Sequence, residues 1–273
     1  MFRPLRPWDG AGYKADLESC SWRPSVSLLN AEFNGLSEED FDVYQQRCWS
    51  NNRFNLDRMR TKERVQHLAK SMVEALDFDG VRLEASSEIP SVWNGREVRD
   101  QWVFLVRDDD ARRHLQPVLA RRIDLATRIK APADHLKHIF IGLSLDVDVL
   151  EISLRLSRYA VIDTENIMGR AESEADAFQE IIGALPDTIQ LDGNAFTAGS
   201  FMTAVRELQE GGREWLTLGR TLKRDEVSQL GPQIVEMIRE VSEQLEPVFR
   251  FCTWTESNDH VGVETQLTEL AEA

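Results

Sequence analysis

The chain has 273 residues, 42% apolar and 29% charged, proportions ordinary for a globular protein that argue against global disorder. Three widely separated cysteines (Cys20, Cys48, Cys252) form no CxxC pair, which excludes a recognisable zinc or dithiol redox motif and fits a reducing cytosol. A formal net charge of −15 disfavours long-range attraction to nucleic acid.

The opening residues, "MFRPLRPWDGAG", lack the apolar stretch of a signal peptide, and no apolar run approaches a membrane span. A cytoplasmic protein with no membrane partner is expected. Residues 1–36 combine Pro4, Pro7 and Pro24 with five aromatics and read as an irregular arm pinned by those rings. "GLSEEDFDVYQQRCW" then opens a helix, with Ser37 as N-cap, Asp40 three residues on, and Phe41, Tyr44 and Cys48 on one side. The stretch "NLDRMRTKERVQHLAKSMVEALDFDG" predicts a longer helix whose apolar stripe runs through Leu56, Met59, Val65, Leu68, Met72, Val73 and Leu76.

Strands follow. "GVRLEAS" alternates, and "QWVFLVR" at 101–107 is a continuous apolar run suited to an interior strand. Between them, "PSVWNGREVR" carries an Asn94-Gly95 turn signal. "DDDARRHL" starts a helix with three acids at its positive end, and Pro117 is expected to break or kink it. "KHIFIGLSL" and "VLEISLRLS", on either side of "DVD", predict a hairpin. "DTENIMGRAESEADAFQEIIGAL" reads as one or two helices closed by Pro186, "TIQLDG" as a weak strand and "SFMTAVRELQEGG" as a helix stopped by glycine. "REWLTLGRTL" is a further strand, followed by a long helix interrupted near Gly231-Pro232. Hairpin-linked strands with helices in blocks predict an α+β fold with a mainly antiparallel sheet. The expected organisation is an arm (1–36), an α+β core (37–185), a C-terminal subdomain packed on it (186–254) and a loosely held acidic tail (255–273).

Four pieces in this order, "GLSEEDFDVY", "NLDRM", "DQWVFLV" and "IFIGLSL", resemble the YktB-like family of uncharacterised bacterial proteins over residues 35–160. The resemblance implies an α/β fold with an antiparallel sheet and carries no catalytic residue. Where that family's loop has prolines, this chain has "PSVWNGREVR".

Charge and aromatics rank the surfaces. Residues 47–130 carry 17 basic and 13 acidic groups, whereas residues 131–273 carry 11 and 26. The middle segment is therefore the only anion-binding face in prospect. Trp102 belongs to the apolar run and reads as core. Trp93, beside Arg96 and Arg99 at the Asn94 turn, suits an outward-facing docking edge, with Arg112 and Arg113 as further basic contacts. Arg112 and Arg121 are nine residues apart, half a turn out of phase on a helix, which weakens a nucleic-acid reading of that segment. Asp146, Asp148, Glu151 and Asp163 are the carboxylates that could gather around Mg²⁺, although turn chemistry explains "DVDVLE" equally well. "DHLKH" offers His135 and His138 without a third ligand. No phosphate loop, dinucleotide fingerprint or nucleophile elbow occurs, so no cofactor is expected. These features favour a cytosolic, non-enzymatic binding or adaptor protein that engages a protein partner through the Trp/Arg edge and an acidic C-terminal half. The alternatives are a metal-dependent enzyme acting on nucleic acid or phosphate esters, and an acidic nucleic-acid mimic.

Overall fold

The structure, a computed structural model, describes residues 33–76, 78–122 and 133–271. Residues 1–32 of the expected arm and 123–132 of the Arg-rich segment lie outside the described residues. The apolar and alternating runs form β1 (Val81–Ala85), β2 (Gln101–Arg107), β3 (Phe140–Leu145), β4 (Val149–Ser157), β5 (Gln190–Leu191) and β6 (Trp215–Lys223). They join in one sheet of order β1-β2-β3-β4-β6-β5, every neighbouring pair antiparallel. The β3–β4 hairpin closes through the Asp146 N–H, which donates to the Val149 carbonyl at 3.0 Å. β2 is buried along its whole length, as a run with no polar alternation requires of an interior strand.

The helices are α1 (Glu38–Asp42), α2 (Asn55–Leu76), α3 (Asp109–Arg122), α4 (Val161–Ser173), α5 (Ala175–Gly183), α6 (Ala198–Gln209), α7 (Arg224–Leu230), α8 (Ile234–Cys252) and α9 (Val263–Ala271). With the antiparallel sheet they make an α+β fold. One sheet face, carrying Val103, Leu105, Ile141, Leu143, Ile152 and Leu154, packs on α2 and α8 through Leu68, Met72, Ile238 and Leu245. The other face is aromatic and polar: Trp102, Phe104 and Phe140 cluster there with Leu136. Phe104 lies over Gly142, where an added Cβ would meet the Val103 carbonyl oxygen at 2.3 Å, so only glycine allows this approach. A smaller core joins α3, α4 and α9 through Leu115, Val118, Ile162, Trp254 and Val263.

Several expectations change here. α1 is a single turn, after which residues 43–50 follow tight turns, although Phe41, Tyr44 and Cys48 are all buried. A buried arginine holds those turns: Arg58 of α2 donates to the carbonyls of Cys48 and Trp49. Arg58 and Thr61 thereby occupy the inner face at the start of α2. Leu56 and Met59, expected in the apolar stripe, face outward. Pro117 sits inside an unbroken α3. The segment 186–254 supplies β5 and β6 to the common sheet. Residues 255–271, expected as a loose tail, hold a turn and α9, and Val263 is fully buried.

Candidate functional site

The β1–β2 connection, residues 86–100, is a built loop. The Ser91 N–H donates to the Asn94 side-chain oxygen at 2.7 Å, and the Asn94 amide donates to the Ile89 carbonyl at 2.8 Å. These bonds wind Val92–Asn94 into one 3₁₀ turn, after which Gly95 and Arg96 both adopt positive φ, 62° and 63°. The left-handed pair is therefore Gly95-Arg96, one position later than the Asn94-Gly95 signal suggests, because Asn94 is the last residue of the 3₁₀ turn and its side chain closes back on the Ser91 N–H. A non-glycine residue in this region carries strain on the order of 1 kcal/mol. The loop is anchored at both ends: Val98 N–H donates to the Trp49 carbonyl at 3.0 Å, and Lys62 of α2 pairs with Glu88 at 2.8 Å.

Exposed apolar side chains lie on both of the segments these anchors connect. The large apolar side chains exposed among the described residues are Leu56, Met59, Ile89 and Val92, the last 75% exposed. Two begin α2 and two lie on the loop. The Lys62–Glu88 ion pair, one turn beyond Met59 and adjacent to Ile89, links the two segments. Arg96 is exposed, and the Arg99 guanidinium sits 4.8 Å from the centre of the Trp49 ring while pairing with Glu97. Trp93 is described by its backbone alone, at the middle of the 3₁₀ turn, and the placement of its indole lies outside the described part of the structure. Trp49, whose indole N–H donates to the Tyr44 carbonyl at 2.7 Å, is the tryptophan that carries an arginine at this edge. Trp102 is buried, as its place in the apolar run predicts.

Arg112 and Arg113 do not join this loop. Arg113 is exposed on α3 and pairs with Asp110. Arg112 is largely buried and pairs with Glu84 at 2.8 Å, whose other carboxylate oxygen lies 3.1 Å from His135 Nδ1. Burial would push Glu84 up, but His135 and Arg112 reverse that and hold it at about 2. His138 is buried beside this group, and burial together with Arg107, Arg112, Lys137 and His135 holds its pKa well below the usual histidine value. The "DHLKH" histidines thus serve a buried charge network between α3 and the aromatic sheet face.

Of the four carboxylates considered for Mg²⁺, Asp163 stands apart, while Asp146, Asp148 and Glu151 lie close enough to repel one another without gathering into a donor cluster. Asp146 accepts the N–H groups of Asp148 and Val149 at 2.8 and 2.9 Å and shapes the hairpin turn. Glu151 is buried and pairs with Arg155 at 2.7 Å. Asp163, at the far end of β4 from Asp146, accepts from Arg107 at 2.7 Å and from the backbone of Ile139 and Trp254 at 2.8 and 2.9 Å. Asp100, which sequence reading passed over, lies near Asp146 and Arg155. Burial pushes it up to about 6, with Arg155 opposing and Asp146 reinforcing the shift. The signal for it was the start of β2, where a charged residue precedes a run buried on both faces.

A separate cleft of about 410 Å³ is lined by Phe78, Arg170, Phe249 and Arg250. Its guanidiniums are committed, Arg170 to Glu174 and the Phe251 carbonyl, Arg250 to Glu246. No helix among the described residues is long and apolar enough to cross a membrane. No protein-family model matches the chain, and no curated protein matches it.

Proposed function

We propose that this is a non-enzymatic binding protein that docks a partner protein on the surface formed by the 86–100 loop and the start of α2. The observation that carries the reading is that the large apolar side chains exposed among the described residues, Leu56, Met59, Ile89 and Val92, fall on two segments linked by the Lys62–Glu88 ion pair, since large apolar side chains left in water mark interaction surfaces. The same two segments carry the exposed Arg53, Arg60 (paired with Asp57) and Arg96, in a chain whose net charge is −15. That favours a partner segment with apolar anchors and acidic flanks, the basic rim steering approach and the apolar centre supplying affinity. The bonded loop presents Ile89 and Val92 with little ordering left to do on binding. Kinship with the YktB-like family belongs to the same proposal and rests on the four short pieces named above, which lie on α1, α2, β2 and β3 in that order.

The test is quantitative affinity capture with full-length protein and an Ile89→Asp/Val92→Asp variant whose unfolding midpoint matches wild type. A partner that docks here loses at least tenfold in retained amount on the variant, roughly the 1.4 kcal/mol that one modest anchor supplies. Equal retention by both proteins, or self-association as the only product, rejects the reading.

A further inference from the structure

Away from the docking loop, three side chains from three elements converge: His114 of α3, Glu256 of the turn Glu256–Asn258, and Glu264 of the first turn of α9. His114 Nε2 lies 3.3 Å from Glu264 Oε1 and 3.6 Å from Glu256 Oε1, and the three donor atoms all fall within 4.8 Å of one another. Zinc bonds of about 2.0–2.1 Å in a tetrahedral arrangement set neighbouring donors roughly 3.3 Å apart, the spacing His114 already keeps from both glutamates. Among the described residues neither glutamate has a lysine or arginine partner, although most arginines near this end of the molecule are paired. Two carboxylates facing each other in an acidic chain repel, and a divalent cation between them turns that repulsion into attraction.

The donors are also held in place. Asp259 accepts the backbone N–H of Glu264 at 2.9 Å and of Val261 at 3.1 Å, and the Trp254 indole N–H at 3.1 Å. This fixes the loop between the two glutamates. Val263, next to Glu264, is fully buried in the core shared with α3. The His114 ring lies 6.4 Å from that of Trp254 at an interplanar angle of 26°, which orients the imidazole.

We propose that His114, Glu256 and Glu264 form a site for a divalent transition metal of the zinc class, tying α9 to α3. A nitrogen donor with two carboxylates selects zinc over magnesium or calcium, which prefer all-oxygen shells. Three protein donors at an exposed position leave a coordination place for water or a partner's side chain. Binding needs His114 neutral at Nε2, so protons compete with the metal.

Full-length protein stripped with a chelator and titrated with ZnCl₂ by calorimetry binds one zinc per chain, and MgCl₂ does not compete. CoCl₂ gives visible absorption bands characteristic of a low-coordinate site. His114→Ala, Glu256→Gln and Glu264→Gln each weaken zinc binding by about 100-fold, while His260→Gln, outside the cluster, leaves it unchanged. Zinc raises the unfolding midpoint of wild type but not of His114→Ala. All three substitutions fall at positions open to solvent, so the variants keep the fold, which matched midpoints without metal verify. The absence of zinc binding, or zinc binding undiminished in His114→Ala, overturns the proposal. In the first case the cluster is only a polar contact between His114 and the glutamates, and in the second the metal sits elsewhere.

Discussion

Single residues show where charge is tolerated and where it is a burden. Asp163 is fully buried, yet its carboxylate accepts from Arg107 and from two backbone N–H groups, so both of its oxygens have partners. Asp100 is held less well. Burial favours its neutral form, and its pKa rises from 3.8 to about 6. A carboxyl with a raised folded pKa takes up more protons folded than unfolded between those values, so it weakens the fold increasingly as pH rises from about 4 to 6. Asp100→Asn is therefore expected to stabilise the protein above pH 6, by on the order of 1 kcal/mol after allowance for solvent screening, and to be neutral near pH 4. Urea unfolding at the two pH values measures this. Equal effects at both would show that the Asp100 charge is not the cause.

At the scale of elements, what was legible in the sequence depended on whether local pattern and tertiary packing agreed. β2 was readable because a short apolar run rich in aromatic and β-branched residues, without polar alternation, suits an interior strand. The β3–β4 hairpin was readable because "DVD" supplies its own turn bonds through Asp146. α1 is shorter than its sequence pattern predicts, since the turns after it are held by the Arg58 guanidinium, a partner brought from another element. The same arginine explains why Leu56 and Met59 were misplaced: with Arg58 and Thr61 facing inward, the apolar period begins only at Val65. Trp93, Arg96 and Arg99 lie on the 86–100 loop, whereas Arg112 belongs to a buried network that only the β1–α3 contact reveals. The end of the chain was hidden by its polarity. One buried valine and the Asp259 bonds order it, and neither creates a periodic signal. Val263→Asp places a charge in the core of α3, α4 and α9 and is expected to detach α9, costing several kcal/mol. Limited proteolysis should then cut first within residues 255–271. Unchanged protection of that segment would contradict the packing described here.

Across the whole molecule, charge is unevenly distributed, and so is the response to pH. His138 is kept neutral by burial and four neighbouring cations or imidazoles. The unfolded chain protonates this histidine below pH 6.5 and the folded chain does not, so stability present above 6.5 is lost as pH falls. Glu84, held at about 2 against an ordinary 4.5, adds stability above pH 4.5 that disappears as pH approaches 2. Acid unfolding is thus expected in two stretches, and His138→Leu should flatten the upper one, as read by circular dichroism along a pH series. A wild-type midpoint constant from pH 7 to 5 would show that His138 is not held neutral.

The aromatic and ionic face of the sheet and the apolar core on α2 and α8 leave, among the described residues, Leu56, Met59, Ile89 and Val92 as the large apolar side chains that meet water, at the start of α2 and on the bonded 86–100 loop. The most direct test of its role is position-specific photo-crosslinking. A photoreactive side chain is placed at Val92 of the full-length protein and, as a control, at the exposed Glu236 of α8. The account predicts a discrete crosslinked partner from position 92, absent from position 236 and lost on adding Arg96→Glu. The same products from both positions, or a product from 92 that survives Arg96→Glu and Ile89→Asp, would contradict it.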